Sequence, residues 1–338
     1  MPIANAKAVI ANRVNAIQDF HKSTGVARAQ LDVSGGVDSA VVLGLLVEAV
    51  GAKNITAVYQ GINSTEDSRK RAHEVAKVFD VKLVDLDLTE QYNKLVVVVS
   101  EGLYTAGFKP EEIQAIVAKD PTIMGSIRST LRAPIGRACN RLTGGGIRHG
   151  TGNEDEDRFL RFYQKGGDGE VDTNPIAMLS KGEVFQLALA LGVPQSIVAA
   201  RPSPDLWGVG EEHNDEDEIK NYLGVKGMKQ TMYSYVDLET GKYKHVGMIE
   251  RMSRYLDATG NMLFSDQDDA VVDGFISRLV RGTSAFHLVG GPDESELHTF
   301  FKSVRNVERA TRHKMNPNCP SLGTRLDMVV TGALTNTL

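Results

Sequence analysis

The chain has 338 residues, 41% hydrophobic and 24% charged, with a formal net charge of −5. It is long enough to bury a full core in one large or two smaller domains, and its mildly acidic balance gives no bulk attraction for a nucleic acid. Its longest purely apolar run, residues 95–99, is far too short to span a bilayer.

The first residues lack the uninterrupted apolar core of a signal peptide, so a cytoplasmic, reducing setting is expected, with neither nucleic acid nor membrane as a partner. Residues 3–20 carry Ile10, Val14, Ile17 and Phe20 at helical spacing, as an amphipathic helix packed on a sheet does. Residues 30–33 read as a short buried strand, 34–39 as a loop and 40–50 as an apolar helix closed by Gly51. A second strand follows at 54–59. A charged helix over 67–79 turns Ala72, Val75, Ala76 and Phe79 inward, and a third strand occupies 81–86. Strand, helix, strand, helix, strand predicts an α/β fold: a doubly wound parallel sheet with helices on both faces. Its ligand site belongs at the carboxyl ends of the strands.

The loop Ser34-Gly35-Gly36-Val37-Asp38-Ser39 lies at that end. First-turn N–H groups have no intrahelical partner, and the helix dipole adds positive charge there. Gly35 and Gly36 let the backbone approach an anion, and Ser34 and Ser39 add hydroxyl donors. Asp38 would repel a bare phosphate, so it points to a bridging Mg²⁺. Ser, Asp and Gly are also ordinary capping residues, but their density in six positions favours a phosphate site.

Residues 91–118 are mixed helical, with Pro110 suited to a first turn. Arginines at 128, 132, 137, 141 and 148 follow. Most read as a solvated helix face, with one or two available for phosphate or carboxylate. Cys139 and Cys319 make no disulfide framework and no CxxC metal pair. A weak strand at 147–149 leads into Gly150-Thr151-Gly152-Asn153 and the acidic run Glu154 to Asp157. Such a run can simply complement a helix dipole. Residues 166–172 are a flexible acidic loop. Ser180 reads as an N-cap with Glu183 at N3. Lys181 opposes the dipole of its own helix, which a bound anion explains better than stability does.

Residues 201–207 form an extended, proline-fixed loop, and 211–218, EEHNDEDE, read as a solvated turn or linker. Helices are predicted over 246–256, 270–280 and 294–309. His313 and Lys314 then stand in a basic segment, either as a solvated helix end or as an anion-binding pair.

The loop at Ser34 to Ser39 resembles the SGGxDS pyrophosphate loop of the ATP pyrophosphatases, which cleave ATP to AMP and pyrophosphate. Further motifs occur in order. They are Gly150-Thr151-Gly152-Asn153 with Glu156, and Lys165-Gly166-Gly167-Asp168-Gly169 with Asp172 and Pro175. Leu179-Ser180-Lys181, Pro202-Ser203-Pro204-Asp205-Leu206 and His313-Lys314 complete the set. Together they resemble the NAD synthetases over residues 3–222 and again near His313. The resemblance implies the adenine nucleotide alpha hydrolase-like fold and ammonia-dependent amidation of nicotinic acid adenine dinucleotide to NAD through an acyl-adenylate. ATP and Mg²⁺ would be the cofactors.

Carried over residue by residue, the resemblance puts Asp38 and Glu156 on Mg²⁺, with Glu154 and Asp157 as alternatives to Glu156. Ser34, Gly35, Gly36, Val37, Asp38, Ser39, Thr151, Lys181 and Ser203 go to ATP. Arg132, Lys165, Asp172, His313 and Lys314 go to the dinucleotide acid. Asp168 would orient or deprotonate ammonium, and Asp38 and Lys181 complete the catalytic set. It further implies a homodimer. Ser34 follows the start too closely for an upstream glutaminase domain, so free ammonia or a separate ammonia-supplying chain is expected.

The chain departs from the family pattern in places. Tyr59-Gln60-Gly61 stands where an adenine-contacting Arg is usual, and Glu156 to Lys165 is one residue longer. Ser203 replaces Thr, and residues 225–303 look like a mixed-helical insertion of unassigned role. The expected organisation is a core over 1–224, that insertion, and a segment over 304–338 returning to the site. Two alternatives stay open: an ATP pyrophosphatase with another acceptor, GMP synthetase-like or tRNA-modifying, and a non-catalytic adenine-nucleotide sensor.

Overall fold

The computed structural model describes residues 3, 5–120, 122–200, 214–260, 263–282, 288, 290–291, 293–315 and 323–334. Helix α1, Ala6–Thr24, is capped by the Asn5 side chain and ends at Gly25 in the left-handed region. Strand β1, Ala29–Asp32, runs into α2, Val37–Val50, and β2, Ile55–Gly61, into α3, Glu66–Val78, which Thr65 caps. Strand β3, Leu83–Asp87, is followed by α4, Thr89–Thr105, α5, Pro110–Lys119, and α6, Thr122–Leu142. Strand β4, Ile147–His149, closes the sheet.

The strand order is β3-β2-β1-β4 and every pair is parallel. The chain winds outward from β1 to β3 and then crosses back to place β4 on the other side of β1. The carboxyl end of β1 is therefore the switch point, where a crevice opens. All seven residues of β2 are buried, as expected of a strand covered on both faces. Leu31, Ala57 and Tyr59 face a core with α1, α2 and the later helix α8. On α6, Leu131 and Ile135 pack with Ile62, Leu88 and Tyr92 beyond β2 and β3. The α/β expectation holds.

Past β4 come α7, Glu154–Asp157, α8, Lys181–Leu191, α9, Gln195–Val198, and α10, Asp215–Tyr222. A small antiparallel pair, β5 Tyr235–Val236 and β6 Tyr243–His245, precedes α11 Met248–Thr259, α12 Asp269–Arg281, α13 Glu294–Ala310 and α14 Arg325–Val330. Helices α10 to α13 share a second apolar core, built around Ile219, Leu223, Met252, Phe275, Phe300 and Phe301. Phe159 and Leu160, just past α7, are buried in that core. The segment carrying the acidic run is thus pinned from the helical side.

Two readings of the sequence change. The run 211–218 is not all solvated linker: from Asp215 it is helix, and Glu218 is buried. Arg128 and Arg148 are buried rather than solvated. Arg148 ion-pairs with Asp32 at 2.6 Å and donates to the Ala133 carbonyl at 2.8 Å. A Cβ on Gly136 would stand 2.9 Å from its guanidinium, so α6 needs glycine there to let Arg148 pass.

Candidate active site

The Ser34–Ser39 loop carries the chain from β1 into α2. Gly35 adopts φ 83°, and Gly36 is the N-cap of α2 with extended torsions and no side-chain cap. The first-turn amides are therefore left for a ligand. Ser34 Oγ accepts from the Gly36 amide at 3.2 Å and lies 3.3 Å from Ser39 Oγ, which donates to the Gly36 carbonyl. Arg71 Nε donates to the Gly35 carbonyl at 3.0 Å, a clamp that sequence reasoning missed.

Across the crevice, Asn153 caps α7 by accepting from the Glu156 amide, and its Nδ2 donates to Asp38 Oδ1 at 3.2 Å. Ser180 and Glu183 form the expected capping box on α8. Lys181 opens that helix. Its Nζ lies 2.6 Å from Asp38 Oδ2, 3.3 Å from Glu156 Oε1 and 3.2 Å from Asp215 Oδ2. Burial disfavours the ammonium, yet these three carboxylates outweigh it and hold the lysine well above its ordinary range. Burial lifts Glu156 to about 7, with Lys181 pulling the other way and Asp38 adding to the rise.

The sequence explained Lys181 by a bound anion. Its partners are anionic side chains, Asp215 among them, and Asp215 was not foreseen. Its signal was present in Asn214-Asp215-Glu216, an N-cap followed by first-turn carboxylates, but a dense acidic run hides a single inward residue.

Around this centre lies a cavity of about 370 Å³, lined by Ser34, Asp38, Ser39, Thr151, Lys181 and Asp215, and by Arg132, Asp168 and Lys314. A second cavity of about 730 Å³ shares Thr151, Glu156, Asp168 and Lys314 with it and adds Lys165 and Met178. Ser129 Oγ donates to Asp168 Oδ1 at 2.5 Å, and Arg132 Nε donates to the Gln60 carbonyl at 3.0 Å. Lys314 Nζ donates to the carbonyls of Arg161 and Tyr163 at 2.9 and 2.7 Å. Burial lowers its pKa.

Five of the predicted residues that the structure describes line neither cavity: Gly35, Gly36 and Val37 of the loop, and Asp172 and His313. Asp172 is held by Arg137 and by the Arg148 amide at 2.7 Å. His313 is exposed, and its carbonyl accepts from Lys165 Nζ at 3.2 Å. Ser203 lies outside the described residues.

Among the described residues no three Asp, Glu, His or Cys side chains form a ready metal cage, since the Lys181 ammonium stands between the carboxylates. The donor set still suits Mg²⁺. It is all hard oxygen, and three carboxyl groups outnumber the one ammonium. Mg²⁺ is commonly bound through one or two carboxylates plus substrate phosphates.

A strand-to-helix phosphate loop facing a lysine and carboxylates, at the switch point of a parallel sheet, is the setting in which the likeness to known proteins is informative. The NAD synthase family model matches residues 9–234. The chain belongs to the NAD synthase family. It is 33% identical to the NH(3)-dependent NAD(+) synthetase of Methanococcoides burtonii over 220 residues, 65% of this chain and 75% of that protein. It is 32% identical to the protein of the same name from Halobacterium salinarum over 227 residues, 64% and 78% of the two chains. Among solved structures, the NMN synthetase from Francisella tularensis shares the fold at TM-score 0.60 and 20% identity, covering 92% of this chain and 96% of that one. Membership of the NAD synthase family makes the chain an enzyme, a ligase forming C–N bonds with ATP. No described helix is long and apolar enough to cross a membrane.

Proposed function

We propose that the chain makes NAD from nicotinic acid adenine dinucleotide, ATP and ammonia. The acceptor's carboxylate oxygen attacks the α-phosphorus of ATP, a bond to that phosphorus forms, and pyrophosphate leaves with its electron pair. Ammonia then attacks the acyl carbon, AMP leaves and a proton is lost. The observation that carries this reading is the meeting of Lys181 with the Ser34–Ser39 loop's Asp38 inside a family whose named relatives are ammonia-dependent synthetases.

The chain's own groups suit each step. The first-turn amides of α2, the Ser34 and Ser39 hydroxyls and Lys181 meet the charge that grows on pyrophosphate. Gly35, Gly36 and Val37 supply backbone, and Thr151 and Ser203 complete the ATP site. Asp38 and Glu156 would hold Mg²⁺, which supplies further charge neutralisation when bound. Arg132, Lys165, Asp172, His313 and Lys314 are assigned to the acceptor. Asp168, oriented by Ser129, takes the proton from ammonium.

Ammonia enters as such or from a separate chain. Cys139 is half-buried, and burial raises its thiol pKa, the opposite of an activated glutaminase nucleophile. A homodimer is part of the proposal. Helix α5 has no buried residue and α4 buries only Tyr92, while Val97, Val98, Tyr104, Phe108 and Ile116 are exposed. A second copy of this chain is the occupant proposed for that face.

The test of the adenylate is isotopic. With ¹⁸O in the acceptor's carboxylate, one label should appear in AMP. Label found only in pyrophosphate or lost to water would remove the acyl-adenylate.

A further inference from the structure

The unit of helices from α10 to α13 has no assigned part in the chemistry, yet two of its side chains close around Lys181. Asp215 is the first residue of α10 and stands 3.2 Å from the ammonium. The ring of Tyr233, 2% exposed, lies below the same nitrogen at 5.7 Å, a distance at which an aromatic face attracts a cation. The two are built as a unit. Glu216, next to Asp215, accepts from the amides of Met232 and Tyr233 at 2.8 and 3.2 Å. Asn214 caps the helix by accepting from the Asp217 amide at 2.8 Å. Ile219 and Leu223 bury the rest of α10 in the second core. The lysine belongs to the nucleotide fold, but two of its holders come from the helical unit.

Three carboxylates cannot all stay with one ammonium once a divalent cation and phosphates enter. Asp38 sits on α2 in the glycine loop and Glu156 on α7 across the crevice from it. Asp215 instead opens α10, which the second core anchors. We propose that Asp215 and Tyr233 are positioning residues for Lys181, and that Asp215 keeps the ammonium when Asp38 and Glu156 turn to the cation. This rests on the reading above, in which Lys181 meets the phosphates of ATP. It gives the helical unit a defined role: it aims the lysine.

The experiment is a mutant cycle on the full chain, read by AMP release and by calorimetric ATP binding. Asp215→Asn should lower kcat about ten- to a hundredfold, the range of a hydrogen bond to a charged group. The KM for the acceptor and the Mg²⁺ concentration for half-maximal activity should not move. Asp215→Glu should recover part of the loss. Tyr233→Phe should stay near wild type, while Tyr233→Leu should lose activity about as Asp215→Asn does. In a Lys181→Ala background Asp215→Asn should cost less than about twofold more, because residues acting through one partner are not additive. An equal cost with and without Lys181, or a shifted Mg²⁺ requirement, would overturn the proposal. If Asp215→Asn does not fold, the Tyr233 pair decides alone. Wild-type protein that binds ATP but releases no AMP would instead sink the functional reading, and the calorimetric arm would still compare the variants.

Discussion

Arg325 grips Glu183 with both arms: Nη1 and Nη2 each lie 2.7 Å from a different carboxylate oxygen. Glu183 is the third residue of α8, and the same carboxylate accepts from the Ser180 amide. The late helix α14 thus locks the first turn of the helix that aims Lys181. Arg254 from α11 joins by pairing with Glu154 at 2.9 Å and approaching Glu183 at 3.5 Å. Burial alone would raise the Glu183 pKa, but Arg325 and Arg254 pull it down to about 2.

Breaking that grip should be costly, because it strands a buried charge. Arg325→Met is expected to lower unfolding free energy by roughly 3–5 kcal/mol, read by urea denaturation. A change under about 1 kcal/mol would show that Arg254 suffices for Glu183. The Arg325→Met, Glu183→Gln double variant should be less destabilised than the two single losses added together.

The two loop glycines should respond differently to alanine. At Gly35 the left-handed torsion is combined with a clash, since a Cβ would stand 2.2 Å from the Ser68 carbonyl oxygen. At Gly36 the nearest atom is Ser34 Oγ at 3.3 Å and the torsions suit any residue. Gly35→Ala should therefore cost on the order of 1–3 kcal/mol and abolish measurable ATP binding by calorimetry. Gly36→Ala should fold normally and bind with a smaller loss. Equal behaviour of the two would mean the loop is not held as described.

Much of this arrangement was legible in the sequence. The strand, glycine turn and apolar helix at residues 29–50 announced themselves because parallel strands and buried helices are apolar throughout. Ser180 and Glu183 marked their helix start because the capping box is a local rule. Asp215 was not legible, since a carboxylate in an acidic run looks the same whether it faces water or a lysine. Arg128 and Arg148 misled for a related reason: a cluster of arginines reads as solvated, while Asp32, more than a hundred residues away, and the Ala133 carbonyl hold Arg148 inside. The predicted helices over 246–256, 270–280 and 294–309 were found close to their expected bounds. Periodicity gave each an apolar face but could not say that those faces meet each other and Phe159.

His149, at the end of β4, offers a pH test. Its Nε2 meets His21 Nε2 at 3.1 Å, and burial, with His21 adding to it, lowers its pKa from 6.5 to about 3. The folded state therefore disfavours the proton that the unfolded chain accepts below pH 6.5. The stability this histidine contributes is whole above pH 6.5 and declines as pH falls towards 3, by up to roughly 1.4 kcal/mol per pH unit. The stability difference between wild type and His149→Gln, from denaturation at several pH values, should shift against the wild type across that window. A difference independent of pH would contradict it.

The exposed face of α4 and α5 should be where two copies meet. Val98, 65% exposed, is the most sensitive probe. Val98→Glu should move the protein from dimer to monomer in light scattering while its circular dichroism stays that of the folded chain, because the side chain is solvated within one chain. A wild type that is monomeric at micromolar concentration would remove the dimer from the account.

Purified chain incubated with ATP, Mg²⁺, nicotinic acid adenine dinucleotide and ammonium, with NAD, AMP and pyrophosphate quantified together, decides whether the chain makes NAD. Equal amounts of the three products are expected, with no NAD when ammonium is replaced by ammonia-free glutamine and loss of all three with folded Asp38→Asn. ADP and phosphate in place of AMP and pyrophosphate, or amidation of nicotinic acid mononucleotide in strong preference to the dinucleotide, would contradict that function.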